Sequence, residues 1–155
     1  DWETIKQVKE KYPAIKIFGS GDIMDAQTVV DKINETGVDG IVIARGAIGN
    51  PWIFREARAL FEGKPIPEGP SIEEQGIMML RHFEMLLNMN PERKSVPYFR
   101  KFSARYTKRH PQRKKVLMDL LRPKTRKGIH EAIKKWYGVG MEDISAESIA
   151  VNLRS

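Results

Sequence analysis

Cysteine is absent from the 155 residues, which excludes disulfides, thiolate metal sites and any cysteine chemistry supplied by this chain. Long apolar runs are absent too: none approaches the roughly 20 residues needed to span a bilayer. Asp1-Trp2-Glu3 does not open a signal peptide. A soluble, cytoplasmic protein with no membrane partner is the expectation. The first residue is not Met, so the chain is expected to lie within a longer polypeptide. Histidine is scarce, with His82, His110 and His130 as the whole supply, and no pair has metal-ligand spacing. No Ser/His/Asp set is suggested either, so no catalytic residue and no metal is assigned. His82 falls in an apolar helix stripe and reads as packing, whereas His110 and His130 stand at basic segments and read as surface or phosphate-contacting residues. Strands are few: only two segments have a β pattern.

Acidic residues are nearly missing from one stretch. Residues 92–137 carry 16 Lys/Arg against 3 Asp/Glu, whereas residues 1–91 carry 10 against 14. The overall charge of +7 therefore hides a basic block beside an acidic half. Such a block is the footprint of a polyanion-binding module, because neutralising phosphates releases their counterions. A solvated amphipathic helix is the plainer alternative, but solvated faces usually mix signs. Within the block, Lys101, Arg105, Lys108 and Arg109 share or border one stripe of a helix, and Tyr98, Phe99, Phe102 and Tyr106 fall inward on another. Arg113, Lys114, Lys115, Lys124, Arg126 and Lys127 follow closely, and would extend a cationic face beyond about 20 Å.

The two strand-like segments are the most informative feature present. Ile15–Phe18 runs into Gly19-Ser20-Gly21-Asp22, and Ile41–Ala44 runs into Arg45-Gly46. Between them Asp25 can cap a helix bearing Ala26, Val29, Val30 and Ile33 inward and stopped by Gly37. Ile41–Ala44 is apolar on both faces, as in a parallel strand covered on both sides. A β-α-β unit with a glycine turn at the carboxyl end of each strand is how an α/β barrel holds a phosphate. Gly19 and Gly21 allow close backbone approach, Asp22 can bond a hydroxyl or cap the turn, and Ala44-Arg45-Gly46 offers amides and a guanidinium. Each turn alone is commonplace; the pairing on consecutive parallel strands is what points to a ligand.

Elsewhere the reading is helical. Residues 2–11 form an amphipathic helix stopped before Pro13. Asn50-Pro51 is read as the start of a helix carrying Trp52, Ile53, Phe54, Ala57 and Leu60 and ending at Gly63. Lys64–Pro70, rich in proline, marks a linker. Ser71 and Glu74 form a capping box for a helix to about Asn88, and Pro97 is read as opening the next. Further helices are expected over 112–121, 125–137 and, as a short terminal one, 145–153.

Three runs carry a resemblance to the tRNA-dihydrouridine synthase family: Gly19-Ser20-Gly21-Asp22-Ile23, Thr36 through Gly46, and Gly49-Asn50-Pro51-Trp52-Ile53-Phe54-Arg55-Glu56. The region from Arg100-Lys101 through Arg109-His110-Pro111 resembles the family's helical domain less specifically, and the likeness covers about residues 1–137. The resemblance implies an α/β then all-α chain, the last two βα units of a TIM barrel followed by a small helical bundle. Residues 1–63 would be barrel, 64–70 linker, and 71–155 a basic tRNA-binding domain. It implies FMN as cofactor with NADPH as reductant. Ser20, Gly21, Asp22, Ala44 and Arg45 would lie at the FMN phosphate, and Arg100, Lys101, Arg105, Lys108 and Arg109 at tRNA. Two positions depart from the family pattern: Ser20 stands where asparagine is usual, losing an amide donor, and Ala44 where glycine is usual, adding a Cβ beside the ligand. The family's catalytic cysteine belongs to earlier barrel strands, so this chain alone is expected to be inactive and to need the preceding barrel portion. A non-catalytic RNA-binding module, or another FMN or sugar-phosphate barrel enzyme, stays open on the residues alone.

Overall fold

The computed structural model describes residues 1–144, so the expected helix over 145–153 lies outside the described residues. The chain divides into two compact units, Asp1–Gly69 and the part from Pro70 onward.

In the first unit the order is α1 (Trp2–Lys11), β1 (Phe18–Ser20), α2 (Ala26–Thr36), β2 (Gly40–Val42), a 3₁₀ turn (Arg45–Ala47) and α3 (Ile53–Phe61). The two strands pair in parallel, with Phe18 opposite Gly40, Gly19 opposite Ile41 and Ser20 opposite Val42. β1 thus starts where the sequence placed its end. Lys9 and Asp39 explain the shift, because their side chains hold the Ile15–Ile17 segment that would otherwise join the ladder. The Lys9 ammonium donates to the carbonyls of Pro13 (3.2 Å) and Ile15 (3.1 Å) and to Asp39 Oδ2 (2.8 Å). Asp39 Oδ2 also accepts from the Ile17 amide at 2.8 Å. The Lys9 hydrogen bond first, then that amide, holds the Asp39 carboxyl below its ordinary range.

Asp25 caps α2 through the Thr28 amide at 2.8 Å, and Gly37 ends it in the left-handed conformation. Ile23, Ala26, Val29 and Ala57 form a small core that Trp2, Ile33, Ile41, Ile43 and Leu60 complete. β2 is covered less than its sequence suggested: Ile41 and Ile43 are half-buried but Val42 is 52% exposed. α3 begins at Ile53 without a side-chain cap, and the Asn50 and Pro51 carbonyls instead accept turn bonds from the amides of Ile53 and Phe54. Phe54 on this helix is exposed.

The second unit contains α4 (Ile72–Met89), α5 (Glu92–Tyr106), a 3₁₀ turn (Thr107–Arg109), α6 (Arg113–Leu121), α7 (Arg126–Tyr137) and a 3₁₀ turn (Met141–Asp143). The Ser71/Glu74 capping box forms, with bonds of 2.8 and 3.0 Å. α5 starts five residues before Pro97, which sits inside the helix on its exposed side. The Ser95 hydroxyl anchors this start, lying 2.9 Å from the Leu86 carbonyl and 3.1 Å from that of Asn90 at the end of α4. Phe83, Phe99, Met79, Leu80, Leu120, Ile129 and Ile133 make a fully buried core. Tyr98, expected inward, is exposed, and the Lys101 ammonium lies 5.2 Å from the centre of its ring.

The histidines belong to this core more than the sequence indicated. His82 Nδ1 lies 3.0 Å from the Tyr106 hydroxyl, and burial pushes the His82 pKa down and that of Tyr106 up. His110 is buried: Nδ1 accepts from the Gln112 amide (3.0 Å) and Nε2 donates to the Trp136 carbonyl (3.2 Å). His130 Nε2 is 2.7 Å from Oε1 of the buried Glu84, whose Oε2 takes Arg126 at the same distance. His110 is thus not the surface residue expected from its basic neighbours, its ring standing edge-on to Tyr137, while the half-buried His130 stands edge-on to Phe83.

Two outcomes follow from the first unit. A two-stranded parallel sheet keeps open edges, and Ile15, Phe18 and Val42 are each more than half exposed around it. The 155-residue segment expressed alone should self-associate or exchange its 40–43 amides rapidly; a cooperatively melting monomer with those amides protected would contradict this. Gly46 packs so closely that an added Cβ would stand 2.2 Å from the Ile23 carbonyl oxygen. Gly46→Ala should therefore destabilise the full-length protein by about 1–3 kcal/mol in chemical denaturation, and an unchanged midpoint would refute that contact.

Candidate functional site

The parallel pairing of β1 and β2 delivers both glycine turns to the same end of the sheet. Ser20, Gly21, Asp22, Ala44 and Arg45 line one cavity of about 170 Å³, together with Ile23, Met24 and Val42. All five residues singled out at these turns are thus brought together. Gly21 has φ +137°, a conformation that L side chains rarely adopt, so the turn requires glycine there. Asp22 follows at φ +50°, a left-handed position that a short polar side chain tolerates. Among the described residues, the amides of Gly21 and Asp22 donate to no backbone carbonyl. They remain available to an anion at the cavity. Ala44 has φ −103°, a negative value that does not call for glycine.

A charged pair stands at the mouth of the cavity. The Arg45 guanidinium does not project freely but donates to the Asp22 carboxylate. Both side chains are mostly exposed, at 66% and 86%. An exposed ion pair of this kind contributes about 1 kcal/mol or less.

Trp2 is the residue that local spacing could not find. It lies 19 positions from Gly21, yet its indole Nε1 donates to the Gly21 carbonyl at 3.1 Å. Its ring also occupies the space over Gly19, where an added Cβ would come within 2.3 Å of it. Gly19 is therefore small to admit Trp2 rather than a ligand.

The basic residues of α5 and the following turn differ in exposure. Lys101, Lys108 and Arg109 are exposed, whereas Arg100 and Arg105 are half-buried. Arg100 Nη1 donates to the Leu121 carbonyl at 3.1 Å, so it also secures the end of α6. Among the described residues, no group of three or more His, Cys, Asp or Glu side chains could hold a metal, and no helix is long and apolar enough to cross a membrane.

Comparison with known proteins now bears on this arrangement. The family model described as Dihydrouridine synthase (Dus) matches residues 1–135. A probable tRNA-dihydrouridine synthase of Mycobacterium leprae is 39% identical over 106 residues, covering 68% of this chain and 28% of the relative. tRNA-dihydrouridine synthase B of Pasteurella multocida is 35% identical over 106 residues, covering 68% and 32%. The corresponding protein of Shewanella oneidensis is 33% identical over 113 residues, covering 73% and 35%. The chain spans about a third of the length of these curated relatives. The match runs through both glycine turns and into α7, and on it the chain belongs to the dihydrouridine synthase family.

Proposed function

We propose that the full-length protein is a flavin-dependent tRNA-dihydrouridine synthase, and that this segment grips the cofactor phosphate and part of the tRNA. The observation that carries the reading is the single cavity shared by Ser20–Asp22 and Ala44–Arg45. Unpaired turn amides, a guanidinium released from a weak surface pair, and glycine where a side chain would be strained suit a phosphate monoester such as that of FMN. β1 and β2 would be the last two strands of a TIM barrel, whose phosphate site is built by the loops after the final strands.

Bound FMN, reduced by NADPH, would supply hydride to the uracil ring. This chain's residues would do the holding. The amides of Gly21 and Asp22 and the Arg45 side chain would fix the phosphate, with the Ser20 hydroxyl beside them. Trp2, bonded to the Gly21 carbonyl, would keep that turn from collapsing when the ligand leaves. Arg100, Lys101, Arg105, Lys108 and Arg109 would face the tRNA backbone, and Lys101, exposed over the Tyr98 ring, would be held partly extended. No proton donor is assigned on this chain; a cysteine from the preceding part of the polypeptide would fill that role. A cytoplasmic location accords with a tRNA substrate.

Deleting the parent protein should remove dihydrouridine from at least one position of cellular tRNA, read by mass spectrometry of nucleosides. The purified full-length protein should show flavin absorbance. In the same protein, Arg105→Ala with Lys108→Ala should weaken tRNA binding about tenfold at low salt while leaving the flavin spectrum unchanged. Intact dihydrouridine levels after deletion, or a colourless protein that does not take up FMN, would overturn the reading.

A further inference from the structure

Trp2 opens α1, and its place there is fixed by the helix start. Asp1 caps that start, its carboxylate accepting from the Glu3 amide at 3.0 Å and from the Thr4 hydroxyl at 2.9 Å. The half-buried indole then reaches the turn after β1. Its ring stands where a Cβ on Gly19 would come within 2.3 Å, and its Nε1 donates to the Gly21 carbonyl at 3.1 Å. From α2 the Lys32 ammonium lies 6.0 Å from the ring centre. Groups from α1, the β1 turn and α2 thus hold one side chain in place. Trp2 itself lies outside the lining of the cavity.

Holding the Gly21 carbonyl also orients the Asp22 amide. A peptide unit is planar, so the carbonyl of one residue and the N–H of the next turn together. The bond between Gly21 and Asp22 is trans, which sets this carbonyl and the Asp22 N–H on opposite sides of the chain. With the carbonyl drawn to the indole, the N–H is directed away from Trp2. Among the described residues that N–H donates to no backbone carbonyl, and Asp22 lines the cavity. Glycine on one side of a peptide unit lowers the cost of flipping it. A flipped unit would turn a carbonyl toward the cavity, and a carbonyl repels an anion.

We propose that Trp2 is a positioning residue for a phosphate monoester, keeping the Asp22 N–H aimed at the cavity through its bond to the Gly21 carbonyl. The inference rests on the cofactor-phosphate reading given above and adds to it a residue that touches no ligand. Gly19 belongs to the same device, because only a residue without a side chain admits the indole. The effect of Trp2 is confined to the phosphate and does not extend to the rest of a flavin.

The test compares FMN and riboflavin affinities of the full-length apoprotein with those of its Trp2→Phe variant, read by flavin fluorescence. Phenylalanine keeps a ring over Gly19 and removes the N–H. FMN affinity should fall about five- to tenfold, the value of one hydrogen bond to a charged group, with riboflavin affinity unchanged. A parent that prefers FMN and a variant with the same FMN-to-riboflavin ratio would overturn the role of Trp2 and leave the phosphate reading standing. Equal weakening of both ligands would do the same, since it marks a merely structural role. A parent that binds both ligands alike removes the reading beneath it. Should Trp2→Phe fail to fold, benzothienylalanine at position 2 replaces the N–H by sulfur within nearly the same ring shape. It should lower the FMN preference to the same extent, and a retained preference would overturn the proposal.

Discussion

The parallel register of β1 and β2 is the constraint on which the candidate phosphate site depends. With Ser20 opposite Val42, the chain leaves both strands at the same level, and the two turns that follow share one cavity. A slip of one residue would turn every side chain to the other face and part the turns. Only three residues pair on each strand, so the ladder alone is a weak clamp. Side chains supply the rest. Lys9 and Asp39 tie the approach to β1 to the residue that precedes β2, using four bonds of 2.8–3.2 Å. Trp2 then holds the far side by bonding the Gly21 carbonyl.

The helical unit solves a different problem, presenting a high density of like charge without unfolding. Its core is largely apolar, and three of its acids sit where they organise cations. Glu84 is buried between Arg126 and His130, Asp119 gathers Lys135, Trp136 and Arg122, and Glu142 receives Lys134. A buried carboxylate is costly unless its oxygens are bonded, and both oxygens of Glu84 are. Lys94, Lys101, Lys108, Lys114 and Lys115 lie outside these clusters and are exposed. Repulsion between them is the cost of the surface, and an RNA backbone would relieve it.

Most helices were legible because their signals are local. Asp25, Ser71 and Thr125 cap where a short polar side chain precedes an apolar periodicity, and Gly37 and Gly138 end helices in the left-handed conformation. The glycine turns were legible for the same reason. What escaped depends on partners distant in sequence. β1 begins three residues later than its apolar run suggested because Asp39, 22 residues from Ile17, takes that residue's amide. Pro97 lies within α5 instead of opening it, since the Ser95 hydroxyl fixes the preceding turn to the end of α4. The pairing of Arg45 with Asp22, 23 positions away at the end of the other strand, was not legible either. His110 and His130 carry basic neighbours in sequence and apolar neighbours in space.

Whether the cavity at the strand ends holds the phosphate of FMN is most directly tested by comparing two ligands that differ only in that group. FMN and riboflavin affinities should be measured on the full-length apoprotein by flavin fluorescence, before and after Arg45→Ala. The account predicts that the parent prefers FMN strongly and that the variant loses about tenfold or more of its FMN affinity, with riboflavin binding unchanged. Equal affinities for the two ligands in the parent, or an Arg45→Ala effect of the same size on both, would contradict it.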